Sequence, residues 1–364
     1  MELLLQLGSL VFACSICYAI FNFMISYWKL RKKFANFPNK RNPLFLGNVL
    51  TAPYEPHAWF EFMTGVLNKN AAQNNQFRLY NVWVGTWPIV IIYGAKELEG
   101  LIDRSVQINK SIDYRVMDPW FAKGLLTSNS PRWKTRRKLL TPAFHFNILK
   151  EFLPIFNKQS HICTSLLESL ANSGQFFDVC PFIANVTLDV ICETSMGREL
   201  NCQTKGTPYT DAVFALNAII SNRFRKPWQW IDCIYNISKT GREQAKHLKV
   251  VHKFTREVIR EYQHERSKRN CNGHCHNCDH VADGSGSQDR RRFFLELLLD
   301  MYDQGLQTME EVEHEVSVFI FEGHDTTNMG LCWFLHWIGC YQNYQDQISQ
   351  ELYSIYGDDT QREV

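Results

Sequence analysis

The sequence predicts a mainly α-helical protein with a small β-sheet, preceded by one N-terminal transmembrane helix. Apolar residues recur with helical spacing over most of the 364 residues, which is typical of helices that bury one face. One short stretch instead alternates apolar and polar residues, as strands do. The chain also opens with an uncharged apolar run that is long enough to cross a bilayer.

The N-terminal run extends from Leu3 to Trp28 without a charged residue, and a bilayer span needs about 20 residues. Four cations follow directly, at Lys29, Arg31, Lys32 and Lys33. Cationic flanks stay on the cytosolic side, so the rest of the chain is expected in the cytosol. A cleaved signal peptide would carry a basic segment before the apolar run, but Glu2 stands there. We therefore predict a retained anchor.

The predicted domain organisation follows from this anchor. Residues 1–30 form the predicted membrane anchor, and residues 31–50, which contain Pro and Gly, connect it to the main domain. Residues 51–364 form the main domain. Because the cytosol is reducing, the twelve cysteines are not expected to form a disulfide framework.

The secondary structure of the main domain is read from residue spacing. Phe77–Tyr93 alternates apolar residues around a Gly-Thr-Trp-Pro turn, which predicts a β region. Pro154–Leu170, Ala212–Ile220 and Arg242–Arg260 show apolar residues at helical spacing, which predicts three helices.

A basic helix is predicted around Trp133 and Arg137, within Gly124–Phe146. Residues four apart lie on one helix face. A guanidinium can grip a carboxylate with two hydrogen bonds, and an indole N–H adds another donor. The pair thus suits an anion, although a solvated basic helix with one packed Trp would show the same residues.

This helix carries five cations, at Arg132, Lys134, Arg136, Arg137 and Lys138. Nucleic-acid binding is not expected, because the net charge is only +2 and binders of phosphate usually show a domain-wide basic excess. A basic patch can steer an acidic protein partner. A plainly solvated face explains Arg132, Lys134 and Lys138 equally well.

A Cys/His cluster offers a possible metal site at Cys271, Cys275 and Cys278, interleaved with three histidines. Thiolates and imidazoles at this density can hold zinc in tetrahedral geometry. The surrounding residues 270–292 are rich in Gly, Ser, Asp and Arg, which is also typical of a plain loop. Both interpretations stay open.

The most informative segment is a predicted helix that Thr308 and Glu311 begin with a capping-box pattern. Its apolar face is predicted from helical spacing, at Val316, Phe319, Ile320, Gly323 and Thr327.

The same helix carries Glu322, Asp325 and Thr326, which project from nearly one side. Polar groups on an apolar helix cost several kcal/mol unless they have partners, so this side predicts a functional site. The Thr326 hydroxyl is expected to bond back to the carbonyl four residues earlier and bend the helix, and Gly323 would permit a local widening.

The segment FEGHDTT resembles the distal-helix signature [AG]-G-x-[DE]-T-[TS] of cytochrome P450 monooxygenases, and its leading Glu resembles the fatty-acid ω-hydroxylase clan, family four. The resemblance implies the P450 fold and a heme cofactor (iron protoporphyrin). It implies that Thr326 and Asp325 are catalytic, the first near the bound oxygen and the second as a proton relay. It also implies that Glu322 can form an ester with a heme methyl.

A second match supports this family. Trp133 and Arg137 fit its W-x-x-x-R helix, followed by the clan's L-T-P-A-F-H-F, and the resemblance implies that both residues hold the heme propionates. It further implies a lipophilic, fatty-acid-like substrate and an NADPH-dependent reductase flavoprotein facing the basic surface. The implied location is the endoplasmic reticulum membrane, with a cytosolic catalytic domain. The resemblance also implies that residues 31–50 are the hinge between the anchor and this domain.

One family feature is missing from the sequence. None of the twelve Cys stands in the ligand motif F-x-x-G-x-R-x-C-x-G, and Glu257–Arg260 fits E-x-x-R but precedes the distal helix. We expect the axial Cys to lie beyond Val364, so that this chain is truncated and inactive by itself. The alternatives are a non-catalytic, truncated membrane-bound helical protein and a zinc-binding module at Cys271–Cys278.

Overall fold

The computed structural model describes residues 2–37, 44–48, 51–73, 78–102, 109–272 and 293–357. Over these ranges the chain is mainly helical with one two-stranded sheet, which confirms the predicted fold class. Its contacts form two compact units. The first comprises Met1–Ile108 with Asn222–Ile231, and the second comprises Asn109–Ser221 with Asp232–Val364. The domain boundaries near residues 30 and 50 stay a prediction.

In the described part of residues 2–102 the chain forms α1 Glu2–Lys33, α2 Pro56–Gln73, β1 Leu79–Val84, β2 Trp87–Ile92 and α3 Ala95–Ile102. The later helices are α4 Asp118–Phe121, α5 Arg132–Leu140, α6 Phe146–Lys150, α7 Leu153–Asn172, α8 Val179–Ser195, α9 Cys202–Lys205, α10 Pro208–Phe224, α11 Asp232–Ile237, α12 Lys239–Asn272, α13 Phe294–Asp303, α14 Met309–Cys340 and α15 Gln342–Tyr356.

The hairpin confirms the predicted β region over residues 79–92. Its strands are antiparallel, and Val84 pairs with Trp87 across a two-residue turn. Gly85 begins that turn with φ of +62°, a conformation that tight hairpin turns need and that glycine adopts without strain. Gly85 and Thr86 of the predicted Gly-Thr-Trp-Pro turn therefore reverse the chain. Trp87 and Pro88 already belong to β2, so the predicted turn was two residues too long.

Helix α1 is long and apolar enough to cross a membrane, and none of the apolar window within Gln6–Lys33 is buried inside the protein. Near its C-terminal end, however, Tyr27 is only 3% exposed. Its ring stacks on Phe45 at 4.9 Å and meets Trp83 at 6.0 Å, and Arg31 lies 4.8 Å over the Trp83 ring. One side of the last turns of the predicted anchor thus packs on the hairpin, while Phe23, Ile25 and Trp28 stay exposed.

The core of the second unit is built on α14. Val312, Val316 and Ile320 are fully buried on one face, as the helical spacing predicts. The prediction fails at Thr327, which is exposed, because the buried face continues through His324 and Asn328 instead. The three other predicted helices are confirmed within α7, α10 and α12.

Helix α8 packs closely against α14, and Gly323 makes this approach possible. A Cβ atom added at Gly323 would lie 2.5 Å from the Ile191 Cδ1 atom of α8. Helix α14 keeps α-helical hydrogen bonding over all its 32 residues. The local widening expected at Gly323 is therefore absent from this described helix, and the glycine serves helix packing.

Candidate functional site

The N-terminus of α14 carries the predicted capping box. The Thr308 hydroxyl accepts a hydrogen bond from the Glu311 N–H at 3.2 Å, and the Glu311 carboxylate accepts one from the Thr308 N–H at 2.9 Å. Both bonds satisfy N–H groups that a helix start leaves open. The start of the site-bearing helix is thereby fixed by local residues.

Two arginines of α5 bind the same carboxylate. The Glu311 Oε1 atom lies 2.9 Å from Arg136 and 3.0 Å from Arg132, and buried Arg136 also donates to the Gln307 side chain. These contacts fasten α5 to the start of α14. The basic patch is therefore smaller than the sequence predicted. Arg136 is buried and Arg132 is half-buried, and both bind Glu311, whereas Lys134, Arg137 and Lys138 are exposed.

A second carboxylate of α14, Glu315, lies near Arg136 inside the protein. Its carboxylate is fully buried and accepts a hydrogen bond from the Leu125 N–H at 2.9 Å. Burial raises the pKa of Glu315, while that hydrogen bond and Arg136 oppose the rise. No role was predicted for Glu315, although its position four residues after Glu311 places both carboxylates toward α5.

A cavity of about 260 Å³ lies beside α5 and α14. It is lined by Leu125, Arg137, Leu140, Thr141, Phe144 and Phe319. Of the two predicted anion-binding residues, Arg137 reaches this cavity, whereas half-buried Trp133 is not among its described lining residues. Four apolar side chains with one guanidinium suit an apolar group that carries a negative charge at its edge.

The three polar residues of the distal segment differ in exposure. Glu322 and Asp325 are half-buried, and Thr326 is exposed. The Thr326 hydroxyl donates a hydrogen bond to the Glu322 carbonyl at 2.7 Å, which is the back-bond expected from the sequence. Its proton is thereby engaged, so the oxygen of Thr326 offers lone pairs as an acceptor.

Both carboxylates resist ionisation. Burial raises the pKa of Asp325, and a hydrogen bond from Asn217 opposes that rise. For Glu322, burial is the larger cause of a raised pKa, the charge of Asp325 adds to it, and Lys110 opposes it. Two adjacent acids with raised pKa values can hold protons closer to neutral pH than ordinary carboxyls do.

Asn217 is a site residue that the sequence analysis missed. Its side-chain amide on α10 donates to the Asp325 Oδ1 atom at 3.0 Å. A signal was available, since Asn217 is the only polar residue between Ala212 and Ile220. A lone amide in an apolar helix face usually has a specific partner.

His324 was also overlooked. It is fully buried, and neither ring nitrogen has a hydrogen-bond partner of standard geometry among the residues that the structure describes. Its ring packs edge-on against Tyr209 at 5.8 Å. Burial lowers the pKa of His324 to about 4, although the nearby Phe321 backbone partly opposes this. The ring is therefore neutral at pH 7 and packs as part of the core.

The possible zinc site is not tested by the structure. Residues 273–292, which include Cys275 and Cys278, lie outside the described residues, and Cys271 is described only as part of the backbone of α12. Among the described side chains, no group of three or more His, Cys, Asp or Glu could hold a metal ion.

Comparisons with known proteins place this geometry in context. The family model for cytochrome P450 matches residues 45–364. Cytochrome P450 4V2 of Pongo abelii is 39% identical over 284 residues, which cover 77% of this chain and 53% of the relative. Cytochrome P450 4c3 of Drosophila melanogaster is 33% identical over 349 residues, which cover 94% and 64%.

A third relative is named for an activity. Leukotriene-B4 omega-hydroxylase 3 of Mus musculus is 30% identical over 279 residues, covering 75% of this chain and 52% of the relative. The chain thus spans about half to two-thirds of the length of the curated relatives it matches.

Proposed function

The chain belongs to the cytochrome P450 family, and from that membership we propose that its function is that of a heme-thiolate monooxygenase. The reaction inserts one oxygen atom from O2 into a lipophilic, fatty-acid-like substrate, with electrons from an NADPH-dependent reductase flavoprotein. The name of the mouse ω-hydroxylase supports this class of substrate. On α5, the exposed Lys134 and Lys138 are the cations that would steer an acidic partner.

Family membership implies a heme cofactor, and the residues beside α14 fit one. Phe144, Phe319 and the two leucines of the cavity suit an apolar macrocycle, while Arg137 suits a propionate at its edge. Trp133 would add an indole donor from the same helix. When bound, heme supplies the activation of dioxygen. No Cys of this sequence stands in the family's axial-ligand motif, so no residue here is assigned as that ligand.

Asp325 is the proposed carrier of protons to the site. Its raised pKa makes proton uptake and release easier near neutral pH than for an exposed carboxyl. Asn217 holds one carboxylate oxygen at 3.0 Å and so limits rotation of the acid. Thr326, whose own proton is engaged by the Glu322 carbonyl, would accept a hydrogen bond from a proton-bearing group. Glu322 is the proposed point of covalent attachment to heme.

Helix α1 is the proposed membrane anchor, and the endoplasmic reticulum is the proposed membrane. The cations at the end of α1 favour a cytosolic main domain. The apolar substrate would then partition into the lipid next to the enzyme.

The observation that carries the proposal is the half-buried Asp325, held by Asn217 and followed by the back-bonded Thr326. The test fuses residues 1–364 to the axial-ligand part of a family relative and supplies reductase, NADPH and a fatty acid. We expect an oxygenated product from the parent fusion.

Thr326→Ala should yield less product per NADPH consumed, with the difference recovered as peroxide or water. Equal coupling in both fusions would refute the role of Thr326, and no oxygenated product from the parent would refute the function.

A further inference from the structure

Two cysteines in the second unit share one buried amide. Cys180 lies in the first turn of α8, and Cys332 lies on α14. The Asn328 side chain, which is fully buried, donates to the Cys180 sulfur at 3.7 Å and accepts from the Cys332 thiol at 3.3 Å. One amide thus brings together thiols that are 152 residues apart in the sequence.

The two thiols also interact with each other. Burial is the larger cause of a raised pKa at Cys332, and the neighbouring Cys180 thiol adds to the rise and brings the pKa to about 11. Asp178, which caps α8 by accepting the Cys180 N–H at 2.9 Å, adds to the rise. Both cysteines are half-buried rather than sealed, so a small oxidant can reach them.

We propose that Cys180 and Cys332 are a redox-active dithiol that hydrogen peroxide converts into a reversible disulfide between α8 and α14. Nothing in the proposed monooxygenase reaction requires this pair. Disulfides in reducing compartments are usually transient and sensory rather than structural, which suits two thiols that meet in the reduced fold.

The oxidation balances in two steps. The Cys180 sulfur attacks one peroxide oxygen, the O–O bond breaks, and a sulfenic acid and one water form. The Cys332 sulfur then attacks the Cys180 sulfur, the S–O bond breaks, and the second water leaves with the thiol proton. Two thiols lose two electrons, and one peroxide gains them. Cys180 is assigned the first attack because its sulfur accepts a hydrogen bond from the Asn328 amide, whereas the Cys332 thiol holds its proton in a bond to the Asn328 oxygen.

Forming the disulfide would break hydrogen bonds of the buried Asn328 amide, and this loss makes the disulfide easier to reduce. The sulfurs must close to about 2.05 Å, so both side chains turn away from Asn328. Its buried amide then loses two partners, which disfavours the oxidised state. A disulfide that costs the fold in this way has a higher reduction potential and is reduced by cellular thiols. It would hold α14 against α8 close to Asp325 and Thr326.

The test exposes the full chain, in detergent micelles at low concentration, to a small excess of hydrogen peroxide. Free thiols are then blocked with N-ethylmaleimide, and peptides are mapped by mass spectrometry without reduction. We expect a Cys180–Cys332 linked peptide, two hydrogens lighter than its parts, and the loss of two titratable thiols. Reduced glutathione should restore both thiols. Cys180→Ser and Cys332→Ser should each abolish the linked peptide.

Cys192 and Cys202 form the matched control. They also interact with each other, since Cys202 adds to the raised pKa of Cys192, but they are 0% and 3% exposed. They should stay reduced at the same peroxide dose. The inference is overturned if Cys180 and Cys332 are both recovered as blocked thiols while exposed Cys233 or Cys340 is oxidised. It is also overturned if the same linked peptide forms equally fast in urea, because the pairing would then not come from the fold.

Discussion

The Asn217 Nδ2 atom lies 3.0 Å from the Asp325 Oδ1 atom and joins α10 to α14. The bond holds the acid that directly precedes Thr326, and among the described residues it is the contact that opposes the raised pKa of Asp325. A neutral amide partner orients a carboxylate without fixing its charge. Asp325 can therefore exchange a proton and keep its position.

Asn217→Ala removes this donor. We expect the pKa of Asp325 to rise further, because burial is then unopposed, and we expect the free energy of unfolding to fall by about 1–2 kcal/mol. Infrared titration of the carboxyl band and denaturant unfolding measure the two effects. Asn343→Ala, at an exposed position of α15, is the control and should change neither. An unchanged carboxyl titration in Asn217→Ala would show that the bond does not govern Asp325.

Asp325→Asn tests the charge itself, because an amide oxygen can still accept the Asn217 bond. The pKa of Asp325 is 3.8 in the unfolded chain and higher in the folded protein, so the folded state binds the proton more tightly. The stability that this proton contributes is lost as pH rises from 3.8 through the pKa of the folded state. We therefore expect Asp325→Asn to gain stability over the parent as pH rises from 3.5 to 7. Chemical unfolding at each pH measures the difference. The opposite trend would mean that the fold favours the ionised acid.

Arg136→Ala should lower the free energy of unfolding by about 3–5 kcal/mol, because it leaves Glu311 and Gln307 without a buried cationic partner. Arg132→Ala is the matched control. It removes a second cation from the same carboxylate, but its side chain is 35% exposed, so the loss should be about 1 kcal/mol or less. Urea denaturation of both variants measures the contrast. Equal losses would contradict the assignment of Arg136 as the interior cation.

Gly323→Ala should destabilise the protein by about 1–3 kcal/mol, because the new methyl would overlap the Ile191 side chain. Gly339→Ala on the same helix meets nothing within 4 Å and should stabilise by roughly 0.5–1 kcal/mol. Thermal unfolding compares the two. Adding Ile191→Ala to Gly323→Ala should recover part of the lost stability. No recovery would mean that the destabilisation does not come from overlap with Ile191.

Deletion of residues 2–22 should release the protein from membranes, because it removes most of the apolar length of α1 and keeps Phe23 and Tyr27. Fractionation after carbonate and high-salt washes measures release. Tyr27→Ala is the contrasting variant. It should stay in the membrane fraction but expose Trp83, which is 1% accessible in the parent, to a fluorescence quencher. Full retention of the deletion variant would refute anchoring by α1.

The sequence by itself determined the features that depend on neighbours within about one helical turn or one hairpin. The capping box of Thr308 and Glu311, the back-bond of Thr326 to Glu322 and the turn at Gly85 each join residues at most four positions apart. Such contacts follow from residue type and spacing. The length and apolarity of α1 are likewise properties of one segment alone.

The tertiary structure decided which of these side chains act together. Asn217 and Asp325 are 108 positions apart, and no local pattern links them. Arg136 and Arg137 are neighbours in sequence, yet a rotation of about 100° along the helix sends one into the core and the other to the cavity. Gly323 gained its role from Ile191 on another helix. Spacing tells which residues share a face, but only the packing of one helix against another selects what that face meets.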